Sequence, residues 1–151
     1  MKYLKTYENK EPEKNIKYYD DGNIRYISYI LDSQIHREDG PAFQEWHENG
    51  NVKLISYKQH NKYHRENGPA LTGCYYNGKK MYMYYFINGD RHREDGPAFQ
   101  EWHKNGQIKE EAYYLNNVDY YRKDWVEKLK EMNSPYYKEQ KMLYNIDKYN
   151  L

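Results

Sequence analysis

HREDGPAFQEWH occupies residues 36–47, and the same twelve letters return unchanged at 92–103. His, Arg, Glu and Asp side by side have the composition of a catalytic or metal-binding cluster. They equally suit a building block used more than once. Further copies decide between the two. HREDGPA at 36–42, HRENGPA at 64–70 and HREDGPA at 92–98 stand 28 residues apart each time. The same step separates the glycines that close YYDDG (Gly22), WHENG (Gly50), CYYNG (Gly78) and WHKNG (Gly106), and it separates Tyr29, Tyr57, Tyr85 and Tyr113. A fixed period of this size marks a chain assembled from stacked supersecondary units. Four units follow, at 15–42, 43–70, 71–98 and 99–126, the last reading YYRKDWV where HREDGPA is due.

Each unit reads as β. In PAFQEWH, at 41–47, Ala42, Gln44 and Trp46 share one face while Phe43, Glu45 and His47 share the other. ENGN is a turn in which Gly50 is free to take positive φ. VKLISYK runs back with Ile55 and Tyr57 on one side and Val52 and Leu54 on the other. HNKYHRENG joins this hairpin to the next; Asn67-Gly68 is a turn signal, and Pro69 can open a strand without an amide partner. Two strands per unit predict an all-β antiparallel meander of about eight strands.

The order NG, then H…GPA, then an aromatic before another NG resembles the MORN-repeat variant family over about 112 of the 151 residues. The resemblance implies a ladder of β-hairpins forming one elongated, twisted sheet. It further implies a protein-interaction or structural role, of the kind met in bacterial antitoxin-like proteins and in giant DNA viruses. A virion-associated component, an antitoxin-like binder of one partner and a lipid-associated module are the readings it brings. The chain departs from the family in its period, 28 rather than the low twenties, and in the RED or REN inserted between His and Gly. The second connection of each unit is therefore expected to be a longer loop.

The tail, 119–151, overlaps the last unit and reads differently. Tyr121, Trp125 and Leu129 recur at i, i+4 and i+8 of DYYRKDWVEKLKEM, with Val126 and Met132 beside them, one apolar stripe of a helix. Lys123 and Glu127 can pair at i,i+4. Asn133 and Ser134 break that helix, and Ser134-Pro135 then suits an N-cap and first position of a second helix running to about Lys148. Such an array needs a cap on its last unit, and Tyr121, Trp125 and Leu129 are the expected capping residues. Residues 1–14 form a charged N-terminal arm in which KYLKTY is compatible with a further strand or with a loose segment.

Composition bounds the chemistry. Lys plus Arg is 24 and Asp plus Glu is 23, a balance that disfavours nucleic acid and a basic membrane-docking surface. One cysteine, Cys74, excludes an internal disulfide. The amino terminus has no signal-peptide core and the longest apolar run is MYMYYFI, so a soluble, cytoplasmic protein without a membrane span is expected. Tyr occurs 21 times, enough to build a thin, partly wet core from rings with polar tips.

No cofactor, metal or catalytic residue is predicted. Equivalent residues of successive units lie two strands, roughly 9–10 Å, apart. His36, His64 and His92 therefore cannot converge on one ion. The loop residues are read instead as structural: Arg37, Arg65 and Arg93 pairing with Glu38, Glu66 and Glu94, and Gly40, Gly68 and Gly96 turning the chain. Trp46 and Trp102, with Cys74 in the same column, are read as packing residues, as are His47 and His103 one position on. The first hairpin lacks a blunting proline. Tyr18, Tyr19, Ile24, Tyr26 and Ile30 leave it an apolar edge, which predicts a homodimer.

Overall fold

Positive-φ residues place the turns, and the turns define the fold. The structure, a computed structural model, describes residues 10–149, so the KYLKTY segment lies outside the described residues. Strands β1 (Glu13–Tyr18), β2 (Ile24–Leu31), β4 (Phe43–Trp46), β5 (Val52–Ser56), β8 (Leu71–Cys74), β9 (Lys80–Tyr84), β12 (Phe99–Trp102), β13 (Ile108–Leu115) and β14 (Val118–Tyr120) succeed one another as an antiparallel meander. Hairpins β1–β2, β4–β5, β8–β9 and β12–β13 close through five-residue connections with Gly22, Gly50, Gly78 and Gly106 at positive φ. In each, the side chain of Asp21, Asn49, Asn77 or Asn105 accepts a hydrogen bond from the backbone N–H two residues on.

The second connections are not loops, contrary to expectation. Each holds a small hairpin: β2 with β3 (Gln34–Ile35), β6 (Lys58–Gln59) with β7 (Lys62–Tyr63), β10 (Phe86–Ile87) with β11 (Asp90–Arg91), and β13 with β14. Asp32-Ser33, His60-Asn61, Asn88-Gly89 and Asn116-Asn117 all have positive φ, the signature of two-residue turns that follow strand twist. The RED or REN insertion comes after these turns and forms a separate loop.

The sheet has two distinct faces. Ser28, Phe43, Ser56, Leu71, Tyr84, Phe99 and Ala112 pair in succession across it, so they share one face. On that face Tyr84 stacks on Phe99 at 4.5 Å between ring centroids. Gly73 lies beneath the Tyr82 ring, where a Cβ would stand 2.4 Å from Cζ; only glycine lets the ring lie flat there. Ile27, Gln44, Ile55, Thr72, Met83 and Gln100 share the other face. A register shift recurs before every glycine turn and leaves Arg25, Lys53, Met81 and Lys109 unopposed. Two of these bulges aim a lysine back at the sheet, Lys53 to Glu45 at 2.9 Å and Lys109 to Glu101 at 2.8 Å.

The buried cluster sits at the C-terminal end. Helix α1 (Arg122–Glu131) lays Trp125, Val126 and Leu129 on Tyr113 and Leu115, and α2 (Tyr137–Tyr149) packs beside it through Tyr137 and Tyr144. Trp125 Nε1 donates to the Arg93 carbonyl at 3.2 Å. Asn133 takes positive φ and ends α1. The tail departs from the expected stripe in three places. Tyr121 is the N-cap residue and is 87% exposed, because α1 starts one residue after it. Glu127 pairs with Lys141 of α2 instead of Lys123. Pro135 and Tyr136 lie in a turn, the Ser134 hydroxyl accepting the Tyr136 N–H, and α2 starts only at Tyr137. No helix among the described residues is long and apolar enough to cross a membrane.

Candidate functional site

The HRE[DN]G loops line one margin of the sheet, opposite the glycine turns. They are ordered by contacts that run from each unit to the next. His36 Nδ1 accepts the backbone N–H of His60 at 3.1 Å, His64 Nδ1 that of Asn88 at 3.1 Å, and His92 Nδ1 that of Asn116 at 3.2 Å. Each donor is the first residue of the next small-hairpin turn. The second residue of that turn donates its own N–H to the carbonyl of Ile35, Tyr63 or Arg91 at 2.8–3.0 Å. The loop returns the contact: the N–H of Arg37, Arg65 and Arg93 donates to Lys58, Phe86 and Tyr114 carbonyls at 2.9–3.1 Å. The histidines thus satisfy backbone donors and do not converge on a ligand. Among the described residues no three His, Cys, Asp or Glu side chains gather as metal ligands.

His64 offers a clean test of this role. Replacing it by alanine hands the exposed Asn88 N–H to water and is expected to cost about 0.5–1.5 kcal/mol. His64→Asn places an amide oxygen near the Nδ1 position and is expected to recover most of the loss in a urea melt. Equal destabilisation by both substitutions would reject the acceptor role.

The arginines bridge unit to loop. Arg37, Arg65 and Arg93 lie over the rings of Tyr29, Tyr57 and Tyr85, 3.9–4.0 Å from the centroids. A Cβ on Gly40, Gly68 or Gly96 would meet the guanidinium carbon at 3.1–3.2 Å. Of these three only Gly68 has positive φ, so Gly40 and Gly96 make room for arginine more than they turn the chain. The expected Arg–Glu pairs do not form. Arg37 and Arg93 donate from Nε to Asp39 and Asp95 at 2.7 Å, because an aspartate two residues on can fold back onto the guanidinium. The bond from Arg37 holds the Asp39 carboxyl below the usual carboxylate range. Glu38 and Glu94 instead approach the histidine Nε2 atoms, at 3.7 and 3.4 Å.

The fourth tyrosine, Tyr113, has no arginine above it. Trp125 takes that place, 4.9 Å between ring centroids, and so ends the series. The buried Gln140, which sequence reasoning missed, donates to the Asp95 carbonyl at 3.1 Å and ties α2 to the third loop.

Two open grooves separate the loops. The first, about 600 Å³, lies between loops one and two; the second, about 410 Å³, lies between loops two and three and is bordered by Tyr136. On the opposite margin the column after each tryptophan position is polar-tipped. The Tyr19 and Tyr75 hydroxyls donate to the Trp46 and Trp102 carbonyls at 2.7 and 2.8 Å, and His47 Nε2 donates to the Cys74 carbonyl at 3.1 Å. Trp46, Trp102 and Cys74 are half-buried, and burial pushes the Cys74 thiol pKa up, away from nucleophilic use. Of the predicted edge residues, Tyr18 and Ile24 are exposed. Tyr19 is tied to Trp46, Tyr26 packs on Phe43 at 5.5 Å, and Ile30 is half-buried, so the apolar edge is smaller than expected.

No family model matches the chain, and no curated protein or solved structure matches it.

Proposed function

We propose that this is a non-enzymatic interaction protein, a rigid MORN-like repeat sheet that presents its loop margin to a polypeptide partner. The observation that carries the reading is the commitment of the loop histidines and arginines. They fasten backbone to backbone in three successive units, leaving ordered grooves between the loops. An antitoxin-like regulator is the case in which that partner is a single dedicated protein. Affinity purification from the native source tests the proposal. A polypeptide retained by the wild-type chain should be lost about tenfold or more on Glu66→Lys, at the loop margin, and kept on Lys104→Glu, at the turn margin. Equal retention by both variants, or retention of nothing, would end the reading. Co-sedimentation with anionic vesicles would replace it with the lipid-associated alternative.

A second copy of the chain is a further partner, favoured by the unlike ends of the sheet. At the C-terminal end β14 and α1 cover Tyr113–Leu115, and the remaining stretch of β13 is charged and exposed through Lys109, Glu110 and Glu111. At the other end no strand among the described residues lies beyond β1.

A further inference from the structure

The three loops hold their arginines in one pose, but only two of them neutralise it. In each unit the guanidinium lies over a tyrosine ring and beneath a glycine. Arg65 and Arg93 also donate from Nη1 to the carbonyls of Pro69 and Pro97, at 3.2 and 3.0 Å. Arg37 and Arg93 then spend Nε on Asp39 and Asp95 at 2.7 Å. At the equivalent place the middle unit has Asn67, and among the described residues Arg65 has neither a carboxylate partner nor an acceptor for Nε. The same unit lacks the His–Glu approach of its neighbours, so the His64 Nε2 proton and the Glu66 carboxylate are also uncommitted among the described residues. These open groups stand in the centre of the row, where Arg65 lines both grooves.

We propose that Arg65 binds the side-chain carboxylate of an aspartate or glutamate on a partner polypeptide, at the position that Asp39 and Asp95 occupy in the flanking loops. The protein carries its own template for the contact twice over. The preferred partner segment is an acidic residue flanked by basic ones. Glu38, Asp39, Glu66, Glu94 and Asp95 outnumber the three loop arginines and repel a polyanion, while basic neighbours on the partner would meet the outward glutamates. This inference rests on reading the loop margin as a contact surface.

The test follows the Nε–H resonances of the three loop arginines in the full chain by nuclear magnetic resonance at low ionic strength, because an exposed pair of this kind is screened by salt. The probe is N-acetyl-aspartate N-methylamide, with the asparagine analogue as control. The Arg65 resonance should move saturably with the aspartate probe alone, while those of Arg37 and Arg93, already paired, stay in place. Asn67→Asp installs the residue that the flanking units hold, so it should fold as the wild type does and weaken the Arg65 response about tenfold or more. Three arginines shifting alike, no shift at Arg65, or a response that survives Asn67→Asp would each overturn the proposal. A silent Arg65 in a protein whose captured partner is still lost on Glu66→Lys would remove this contact and leave the wider reading intact.

Discussion

Replacing Trp125 by alanine is expected to remove about 3–5 kcal/mol of stability. That is a large part of the roughly 5–15 kcal/mol that holds a domain together. The side chain is fully buried and sits in the one cluster among the described residues that resembles a conventional core. Its ring lies against Tyr113, its Nε1 proton goes to the Arg93 carbonyl, and its neighbours are Val126 and Leu129. Alanine empties that space and strips the carbonyl of its donor. For a chain of this length the melting temperature should fall by roughly 6–20 °C. Trp125→Phe keeps the ring contact, loses the N–H and part of the ring volume, and should fall between the two. Deleting 119–151 is the extreme case: it bares Tyr113 and Leu115 and should drive aggregation. A Trp125→Ala protein that melts within about 1 kcal/mol of wild type would show that the helices are an appendage and not a cap.

At micromolar concentration the protein is expected to scatter light as twice its chain mass of 18.6 kDa. The expected partner surface is the outer edge of β1, beyond which no strand lies among the described residues, and an edge of this kind can template a second strand. The sequence of β1 is complementary to itself. Laid antiparallel about a two-fold axis at Asn15, Glu13 of one copy faces Lys17 of the other, twice, with all four side chains on one face. Exposed Tyr18 and Ile24 add apolar area at the end of the same hairpin. Lys17→Glu sets glutamate against glutamate and should weaken the dimer about tenfold or more, while Glu13→Lys combined with Lys17→Glu should restore it. Scattering at the chain mass for the wild-type protein would reject the dimer.

Periodicity made the sheet and its turns legible. The glycine turns, the alternation of Phe43 and Glu45 against Gln44 and Trp46, and the capping role of Trp125 and Leu129 could all be read from spacing. The small hairpins were overlooked because a two-residue turn needs only two residues with positive φ. His60-Asn61 and Asp32-Ser33 carry that conformation without the usual glycine, although Asn88-Gly89 announces it. The pairing within HREDG was misjudged for a different reason. Sequence adjacency suggested Arg with Glu, whereas side-chain direction brings Arg to Asp and His to the neighbouring glutamate. Gln140 gave no signal, since its partner is a backbone carbonyl 45 residues away.

The contacts that order the loop margin run from one unit to the next: His36 to the turn at His60, His64 to the turn at Asn88, His92 to the turn at Asn116. An in-frame duplication of an inner 28-residue unit would therefore create no new kind of interface. The gene can lengthen or shorten its product by unequal exchange, while the first edge and the helical end remain as they are. The twelve identical residues at 36–47 and 92–103 are the sort of scar such an exchange leaves.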